Sequence, residues 1–596
     1  NGKIIYIDGF SRNEKKQAII PDELFFLSSE ITVDLSDYGL GSNKNVRGLF
    51  EILKNYNFTI DENTPIDQEI ALDPELLGKI FENLLASYNP ETASTARKAT
   101  GSYYTPREMV DYMITESLKE YFYQHLPEID KEKILLLLSY SEQEIEFTQE
   151  EKKKILSLVD KIKILDPACG SGAFPMGVLH KLVFILQKID PTNELWYHLQ
   201  REKIIEDSKK IFDFKEKQIR EELFREMNEI FDEHINFPDY ARKLYLIENS
   251  IYGVDIQPIA IQISKLRFFI SLLIEQKVSK EKENFGIRAL PNLETKFVCA
   301  NTLIALDKPE NLFYTEEIQQ IENQIKELRH KYFTAKSRKE KLSLQKKDKE
   351  LRETLKEKLK QIGYSNEASE KISEFDLFDQ NASTDWFDPE WMFGVKDGFD
   401  IVIGNPPYVR QERIKNKEEI INSIDKIYKV NQKPKINKRS DLYVYFYYKG
   451  LSLLKPNGIF CFINSNSWLD VGYGAELQAF LLENQKILKI IDNIAERTFE
   501  ADINTVIVLI QKPEQIFNDD KIKFVVFKKP FSQIIYDYEN LKQIDELQKN
   551  EFNENFRVIL KSRKELWLEG IETEDEIQEN RLWDYKYIGN KWGGKY

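Results

Sequence analysis

The segment Gly404–Tyr408, GNPPY, follows the apolar run FDIVI and precedes the basic stretch VRQERIKNK. Proline has no backbone N–H and pushes the residue before it out of the helical region, so Asn405 is held extended and the Pro406 carbonyl points in one direction. The Asn405 amide oxygen and this carbonyl are two preset acceptors, which suit the two N–H bonds of an exocyclic amine. After Pro407, Tyr408 offers a face on which a base could stack.

Two acceptors of this kind would change the reactivity of the amine. Holding both N–H bonds draws the nitrogen lone pair out of conjugation with the ring and towards an electrophile such as a sulfonium methyl group. Because that leaving group is already good, positioning does most of the work. A base inside a duplex cannot enter such a pocket, so it would have to be flipped out.

A glycine-rich turn follows a second strand end, in ILDPACGSGAF (164–174). Asp166 ends the strand, and Gly170 and Gly172 allow a ligand to approach the backbone closely before a helix begins. Position 175 is proline, where a dinucleotide fingerprint would place its third glycine. A smaller and less anionic cofactor therefore fits better.

Two more strand ends carry polar residues. IYGVDIQPIAI ends in Asp255, which could accept hydrogen bonds from ribose hydroxyls or cap the helix after Pro258. In VCANTLI, Asn301 could bind a purine edge or only end a strand. Upstream, GSYYTPREMV places Thr105, Pro106 and Glu108 at the N-cap, N1 and N3 positions, so a helix capping box explains this motif by itself.

The elements between these motifs alternate. Apolar, strand-like runs and helices follow one another from residue 161 to 512, which predicts a mostly parallel sheet covered by helices, with ligands at the carboxyl ends of the strands. We expect a short β-rich segment (1–42), a helical domain (43–160), an α/β core (161–515) with helical insertions at 183–245 and 315–362, and a further domain that begins at 516–596. The second insertion is expected to be a solvated surface helix or helical hairpin.

Composition sets wider limits. A chain of 596 residues should form two or three domains, and no apolar run approaches the roughly 20 residues of a membrane span, so no membrane association is expected. Three separated cysteines suit a reducing cytoplasm, and the five histidines lack metal-ligand spacing, so no metal is expected. Despite a net charge of −15, residues Arg410 to Arg439 carry ten basic and four acidic side chains. This basic segment is either a solvated loop or a nucleic-acid contact.

The motifs YYTP, DPACGSGAF, GVDIQP and GFDIVIGNPPY, in this order, resemble those of the gamma class of N6-adenine DNA methyltransferases, specifically the large methylases of type IIG restriction-modification and phage-exclusion systems. The resemblance runs from about residue 75 to 515. It implies a Rossmann-like class I methyltransferase sheet with helices on both faces and an antiparallel last strand. It also implies S-adenosylmethionine as the cofactor, with S-adenosylhomocysteine as product, and double-stranded DNA as the partner. The sequence leaves the oligomeric state open, and we favour a monomer.

The family's roles carry over residue by residue. The methionine part of the cofactor would be held by Tyr104, Thr105 and Pro106, above a turn formed by Asp166, Pro167, Ala168, Gly170 and Gly172. Asp255 would bind the ribose, Ile256 the adenine ring, and Asn301 the cofactor amine, where many members have Asp. The flipped adenine would lie against Asn405, Pro406, Pro407 and Tyr408, with Phe499 on its other side. DNA contacts are expected from Arg410, Lys433, Lys435, Lys438 and Arg439.

Two other functions remain open at this point. Protein and RNA methyltransferases also use an NPPY motif, although the helical segment before YYTP and the basic segment favour DNA. A bifunctional restriction enzyme would need a nuclease, and residues 1–160 show no convincing constellation of acids and lysine for one. Because the chain has no initiator Met and RLWDYKYIGNKWGGKY reads as the beginning of a target recognition domain, we expect it to be part of a longer protein.

Overall fold

The computed structural model describes residues 105–596 and short pieces between residues 26 and 51. Within 105–596 the gaps are 142, 144, 210–213, 280, 282, 288–290, 292, 310–315, 335–337, 380–381, 429–432, 497–503 and 574–576. Tyr104 and Phe499 therefore lie outside the described residues, as does most of the segment 1–104. The chain divides into two compact units, Asn1–Leu77 and Gly78–Tyr596. In the first, β1 (Ile31–Val33) and β2 (Lys44–Val46) pair antiparallel.

The second unit is built on one mixed sheet, to which the described residues contribute ten strands. The strands are β3 (Ile164–Asp166), β4 (Ile251–Asp255), β5 (Phe297–Cys299), β6 (Phe399–Gly404), β7 (Leu454–Ser465), β8 (Lys486–Asn493), β9 (Thr505–Gln511), β10 (Lys521–Phe527), β11 (Glu551–Phe552) and β12 (Phe556–Ser562). Their order across the sheet is β11-β12-β10-β8-β9-β7-β6-β3-β4-β5.

The central part of this sheet has the expected strand order. Strands β5, β4, β3, β6 and β7 are parallel, and β9 runs antiparallel between β7 and β8. Along β7, Ile459, Cys461 and Ile463 enter one core, whereas Phe460 and Phe462 enter the other. Both faces are therefore covered, which explains why the strands read as unbroken apolar runs. The prediction of a Rossmann-like class I methyltransferase sheet with helices on both faces is confirmed.

The described residues of this unit form nineteen α-helices. They are α1 (Arg107–His125), α2 (Lys131–Leu138), α3 (Gln149–Lys161), α4 (Ala173–Ile189), α5 (Glu194–Lys209), α6 (Phe214–Ile230), α7 (Pro238–Asn249), α8 (Pro258–Leu273), α9 (Glu316–Thr334), α10 (Arg338–Gln361), α11 (Asn366–Glu374), α12 (Pro389–Phe393), α13 (Lys417–Ile427), α14 (Leu442–Ser452), α15 (Gly474–Asn484), α16 (Phe531–Ile534), α17 (Tyr538–Glu546), α18 (Arg563–Gly570) and α19 (Trp592–Lys595). None of these helices combines the length and apolar composition that crossing a membrane requires.

The two helical insertions contribute separate groups of helices. The first contributes α5, α6 and α7. In the second, α9 and α10 run antiparallel, since Lys358 near the end of α10 pairs with Glu317 at the start of α9 (2.9 Å). The apolar side of this hairpin, including Ile318 and Leu355, joins the core on one face of the sheet. It is thus a packed layer and not only a solvated helix.

Two expected domain boundaries do not interrupt the second unit. Helix α1 packs against β6, β7 and α4, so the helices before residue 160 lie directly on the sheet. After residue 515, β10 pairs parallel with β8, and β12 and β11 follow antiparallel. The described part of 516–596 therefore extends the same sheet instead of starting a separate domain, because β10 pairs with β8 from Lys523 to Phe527. A part in target recognition stays a prediction.

Candidate active site

The glycine-rich turn after β3 has a backbone that only glycine adopts easily. Gly170 and Gly172 have φ values of 52° and 85°, in the left-handed region. A Cβ at Gly172 would lie 2.9 Å from Ser264 Oγ on α8. The positive φ values explain the two glycines, and α8 leaves no room for a side chain at Gly172; the close approach of a ligand to this turn stays a prediction.

Several hydrogen bonds fix the turn from outside. Ser264 Oγ donates to the Gly170 carbonyl (3.0 Å), and the buried Arg267 donates to the Ser171 carbonyl (2.9 Å). Thr302, beyond β5, donates to the Pro167 carbonyl (2.6 Å). Two separate elements, α8 and the segment after β5, thus hold the turn in one conformation, which is the condition for binding a ligand without a large ordering cost.

Asp255, at the end of β4, contacts the same turn. Its carboxylate accepts hydrogen bonds from the N–H groups of Gly170 (2.9 Å) and Gln257 (2.8 Å). Helix α8 begins at Pro258, and its N-cap, Gln257, makes no side-chain cap bond. Asp255 therefore closes a local turn and fastens the glycine loop, but it does not cap α8.

Two other predicted residues lie at the same edge of the sheet. Ile256, directly after Asp255, is 61% exposed, so it presents an apolar face at the carboxyl end of β4. Asn301 Oδ1 accepts a hydrogen bond from the Leu303 N–H (3.2 Å), and the Ala300 N–H donates to the Asp255 carbonyl (2.9 Å). The ends of β3, β4 and β5 thus converge as expected for parallel strands.

The buried carboxyl of Asp166 connects this turn with the GNPPY segment. Asp166 is 2% exposed and accepts a hydrogen bond from the Ala168 N–H (3.0 Å). Burial raises the pKa of Asp166; the Ala168 N–H opposes this effect, and the nearby charge of Asp255 adds to it. A Cβ at Gly404 would lie 2.6 Å from Asp166 Oδ1, so the first residue of GNPPY must be small.

The side chain of Asn405 is oriented by Thr105. Asn405 Nδ2 donates to Thr105 Oγ1 (3.0 Å), and Thr105 is 4% exposed. Helix α1 begins at Arg107, with Pro106 as an N-cap that makes no side-chain bond. The predicted capping box of Thr105 and Glu108 is therefore wrong, because the Thr105 hydroxyl accepts a hydrogen bond from Asn405, directly after β6, and does not cap α1.

The segment after Asn405 is held by α14 and β7. Tyr408 Oη donates to the Ile463 carbonyl (3.3 Å), and the Leu442 N–H donates to the Val409 carbonyl (2.9 Å). Asp441, which the sequence analysis did not single out, accepts from the Gln411 N–H (2.9 Å). Its place just before the apolar run LYVYFYY could have indicated a helix cap, but not this contact.

Both ends of the basic segment lie close to the site, since Gln411 at its start is hydrogen-bonded to Asp441, two residues after its end. Its predicted DNA contacts are all exposed: Arg410, Lys433, Lys435, Lys438 and Arg439. Two of them have acidic neighbours, since Lys433 pairs with Asp425 (2.9 Å) and Lys438 with Glu418 (3.4 Å). The structure thus places the segment beside GNPPY.

Across the described residues, no group of three or more His, Cys, Asp or Glu side chains is arranged to hold a metal ion.

Comparisons with known proteins identify a domain. Residues 249–499 match the family described as Eco57I restriction-modification methylase. The putative type II restriction enzyme and methyltransferase RM.MjaORFECS2P of Methanocaldococcus jannaschii is 27% identical over 287 residues, 47% of this chain and 20% of that protein. The type II methyltransferase M.BstVI of Geobacillus stearothermophilus is 38% identical over 105 residues, 18% of each. The match spans about a fifth of these curated relatives.

Solved structures are more distant. The ATP-dependent type ISP restriction-modification enzyme LlaBIII bound to DNA has a TM-score of 0.39 at 14% identity, covering 84% of this chain and 24% of that one. The type IIG restriction endonuclease BpuSI has a TM-score of 0.39 at 12% identity, covering 87% and 35%. Residues 249–499 of this chain, which include β5, β6 and β7 of the mixed sheet, are thus similar to the Eco57I restriction-modification methylase family.

Proposed function

We propose that this chain transfers a methyl group from S-adenosylmethionine to the N6 amine of a flipped adenine in a specific DNA sequence. It would do so in the cytoplasm, as the modification part of a restriction-modification or phage-defence system. The observation that carries the proposal is the Asn405 amide, which ends a buried strand next to the glycine turn and is oriented by Thr105.

The cofactor would lie across the ends of β3 and β4. The described residues fit it, since the turn is held rigidly, Ile256 offers an exposed apolar face, and Asp255 is a carboxylate at the strand end. Thr105, Pro106 and Asn301 would complete the site, with Tyr104 beyond the described residues. When bound, S-adenosylmethionine supplies a methyl group on a positively charged sulfur.

The contribution of Asn405 follows from the geometry of its amide. Because Nδ2 donates to Thr105, the planar amide directs Oδ1 away from Thr105 as an acceptor. Together with the Pro406 carbonyl, it would hold both N–H bonds of the adenine amine and draw the lone pair towards the methyl group. Such preset acceptors cost no reorganisation when the reaction occurs.

The target base would be held by Tyr408. Its hydroxyl is anchored on β7, and its ring lies 6.3 Å from that of Tyr443 between centroids. A ring fixed in this way can stack on an extruded base at a low entropic cost. Stacking does not distinguish one base from another, so the two acceptors would select a base that carries an exocyclic amine. Phe499 would cover the opposite face.

The experiment that tests this function is transfer of a labelled methyl group to duplex DNA, followed by digestion to nucleosides. The expected label is in N6-methyladenine. Label in N4-methylcytosine would overturn the choice of base, and label in added protein or RNA instead of DNA would favour the other NPPY enzymes. Cleavage of the DNA, measured in the same samples, would indicate a bifunctional enzyme that both methylates and cuts DNA.

Replacing Thr105 by valine should lower the turnover number about tenfold, because one net hydrogen bond that orients Asn405 is lost. Thr105→Ser keeps the hydroxyl and is the matched control, expected to stay near the wild-type rate. Both variants are assayed for turnover and for S-adenosylmethionine affinity. If Thr105→Val loses affinity with an unchanged turnover number, Thr105 binds the cofactor and does not orient Asn405.

Replacing Lys433, Lys435, Lys438 and Arg439 by alanine should flatten the salt dependence of DNA binding, by a slope of up to about 0.9 per lost phosphate contact. A matched variant removes four exposed lysines of the α9–α10 insertion, Lys339, Lys346, Lys347 and Lys349, and so the same charge. Equal slopes for the two variants would show only an effect of net charge, and would return the basic segment to a solvated loop.

A further inference from the structure

A cavity of about 560 Å³ opens at the amino ends of the parallel strands, at the edge of the sheet opposite to the candidate active site. Lys163 lies directly before β3, Asn249 before β4 and Lys296 before β5, and all three line it. Side chains of α9 and α12, among them Arg329 and Trp391, form another wall. Its volume lies in the range of small-molecule sites.

The charges of this cavity are unevenly compensated. Three of its four acids have cationic partners: Asp160 pairs with Lys203, and Lys396 pairs with Glu322 (3.0 Å) and Glu390 (2.9 Å), while the fourth acid is Glu248. Lys161, Lys163, Lys296 and Lys326 also line the cavity, and among the described residues none of their ammonium groups has a carboxylate oxygen within 4.0 Å. The surplus is therefore positive.

Lys296 is the most informative of these lysines. Its ammonium lies 4.7 Å from the centroid of the Tyr252 ring. Burial lowers the pKa of Lys296 to about 8, while the charge of Glu248 acts in the opposite direction. A half-buried cation that faces an aromatic ring and has no carboxylate oxygen within 4.0 Å is costly, and an anion in the cavity would offset that cost.

Two further residues of the wall, Trp391 and Arg329, carry donor groups. Trp391 is 7% exposed, and its indole N–H is buried without an acceptor in the part of the chain that the structure describes. Arg329 donates to the Trp391 carbonyl (2.7 Å), and its Nε lies 3.6 Å from Asp348. A site with surplus lysines favours a ligand with several acceptor oxygens and more than one negative charge.

We propose that this cavity binds a phosphate group, either free or carried by a small molecule such as a nucleotide. Lysines bind phosphate as point charges, and four of them surround a volume larger than the ion itself. The site is independent of the proposed methyl transfer, because it lies at the other ends of the strands.

The test is calorimetry on protein saturated with S-adenosylhomocysteine, so that nucleotides cannot enter the cofactor site. Inorganic phosphate, AMP and ATP are titrated separately, and we expect a Kd at or below about 1 mM for one or more of them. Similar affinities for phosphate and AMP would identify the free ion as sufficient, whereas tighter nucleotide binding would identify a carried phosphate.

Lys296→Met with Lys326→Met should weaken this binding by roughly tenfold or more, because two charge-assisted contacts are lost. The control variant, Lys346→Met with Lys347→Met, removes two exposed lysines of α10 that do not line the cavity. Affinity for S-adenosylhomocysteine reports folding in both variants. Absence of binding by all three ligands to the wild type, or equal binding by both variants, would overturn the proposal.

Discussion

Replacing Asn405 by alanine is expected to lower the rate of methyl transfer to duplex DNA by about 10²- to 10³-fold, while the affinity for S-adenosylmethionine stays within a factor of about three. The reason is that Oδ1 would act only on the adenine amine as its lone pair is drawn towards the methyl group. The contact is therefore made mainly in the transition state. Its loss should reduce the turnover number by a larger factor than it reduces the affinity for the substrate.

The control for this variant is Asn416→Ala, at an exposed asparagine of the neighbouring basic segment. It should leave both turnover and cofactor affinity unchanged. Single-turnover rates with labelled cofactor and calorimetric Kd values measure the two quantities separately. Near-normal turnover by Asn405→Ala would remove the proposed chemistry, and a parallel loss of cofactor affinity would mean that Asn405 mainly supports the cofactor site.

What the sequence predicted correctly was local. The buried strand FDIVIG and the glycine turn each depend on neighbouring residues, since apolar runs specify covered strands and positive φ requires glycine. The strand order could be predicted because the motifs occur in the order of a family. That parallel strands end at one edge explains why the predicted site residues lie together, but the chemistry assigned to each of them stays a prediction.

What the sequence could not predict was contact between distant residues. Thr105 and Asn405 are separated by 300 positions, so the local capping rule was the better guess for Thr105, and a tertiary hydrogen bond displaced it. Asp255 was assigned either to the ribose or to a helix cap, but its carboxylate also fastens Gly170. Residues 516–596 contain apolar runs that are typical of strands, but such runs do not indicate which strand of the sheet is the partner.

A buried group of charges attaches these last residues to the core. Lys489 of β8 lies 2.7 Å from Glu116 Oε2 and also contacts Asp545 of α17. Lys119 of α1 lies 2.6 Å from Glu116 and 2.5 Å from Asp545, and its side chain has no exposed surface. Burial would raise the pKa of Asp545, but Lys119 and Lys489 hold it well below its ordinary value.

Asp545→Ala should therefore lower the free energy of unfolding by about 3–5 kcal/mol at neutral pH, because two buried ammonium groups are left with one nearby acid between them. Asp519→Ala, at an exposed aspartate that precedes β10, is the matched control and should change it by less than about 0.5 kcal/mol. Urea unfolding of both variants and the wild type gives the values.

The pH dependence gives this prediction its sharper form. The pKa of Asp545 is lower in the folded state than in the unfolded chain, so its stabilising effect is complete above the unfolded value of about 4 and is lost as the pH falls below it. The difference between wild type and Asp545→Ala should accordingly shrink in acid, while the Asp519→Ala difference stays small throughout. A difference that is small at neutral pH, or that does not shrink in acid, would mean that α17 is not fastened to α1 and β8 by these charges. The attachment of residues 516–596 to the core would then rest on the pairing of β10 with β8 and not on these charges.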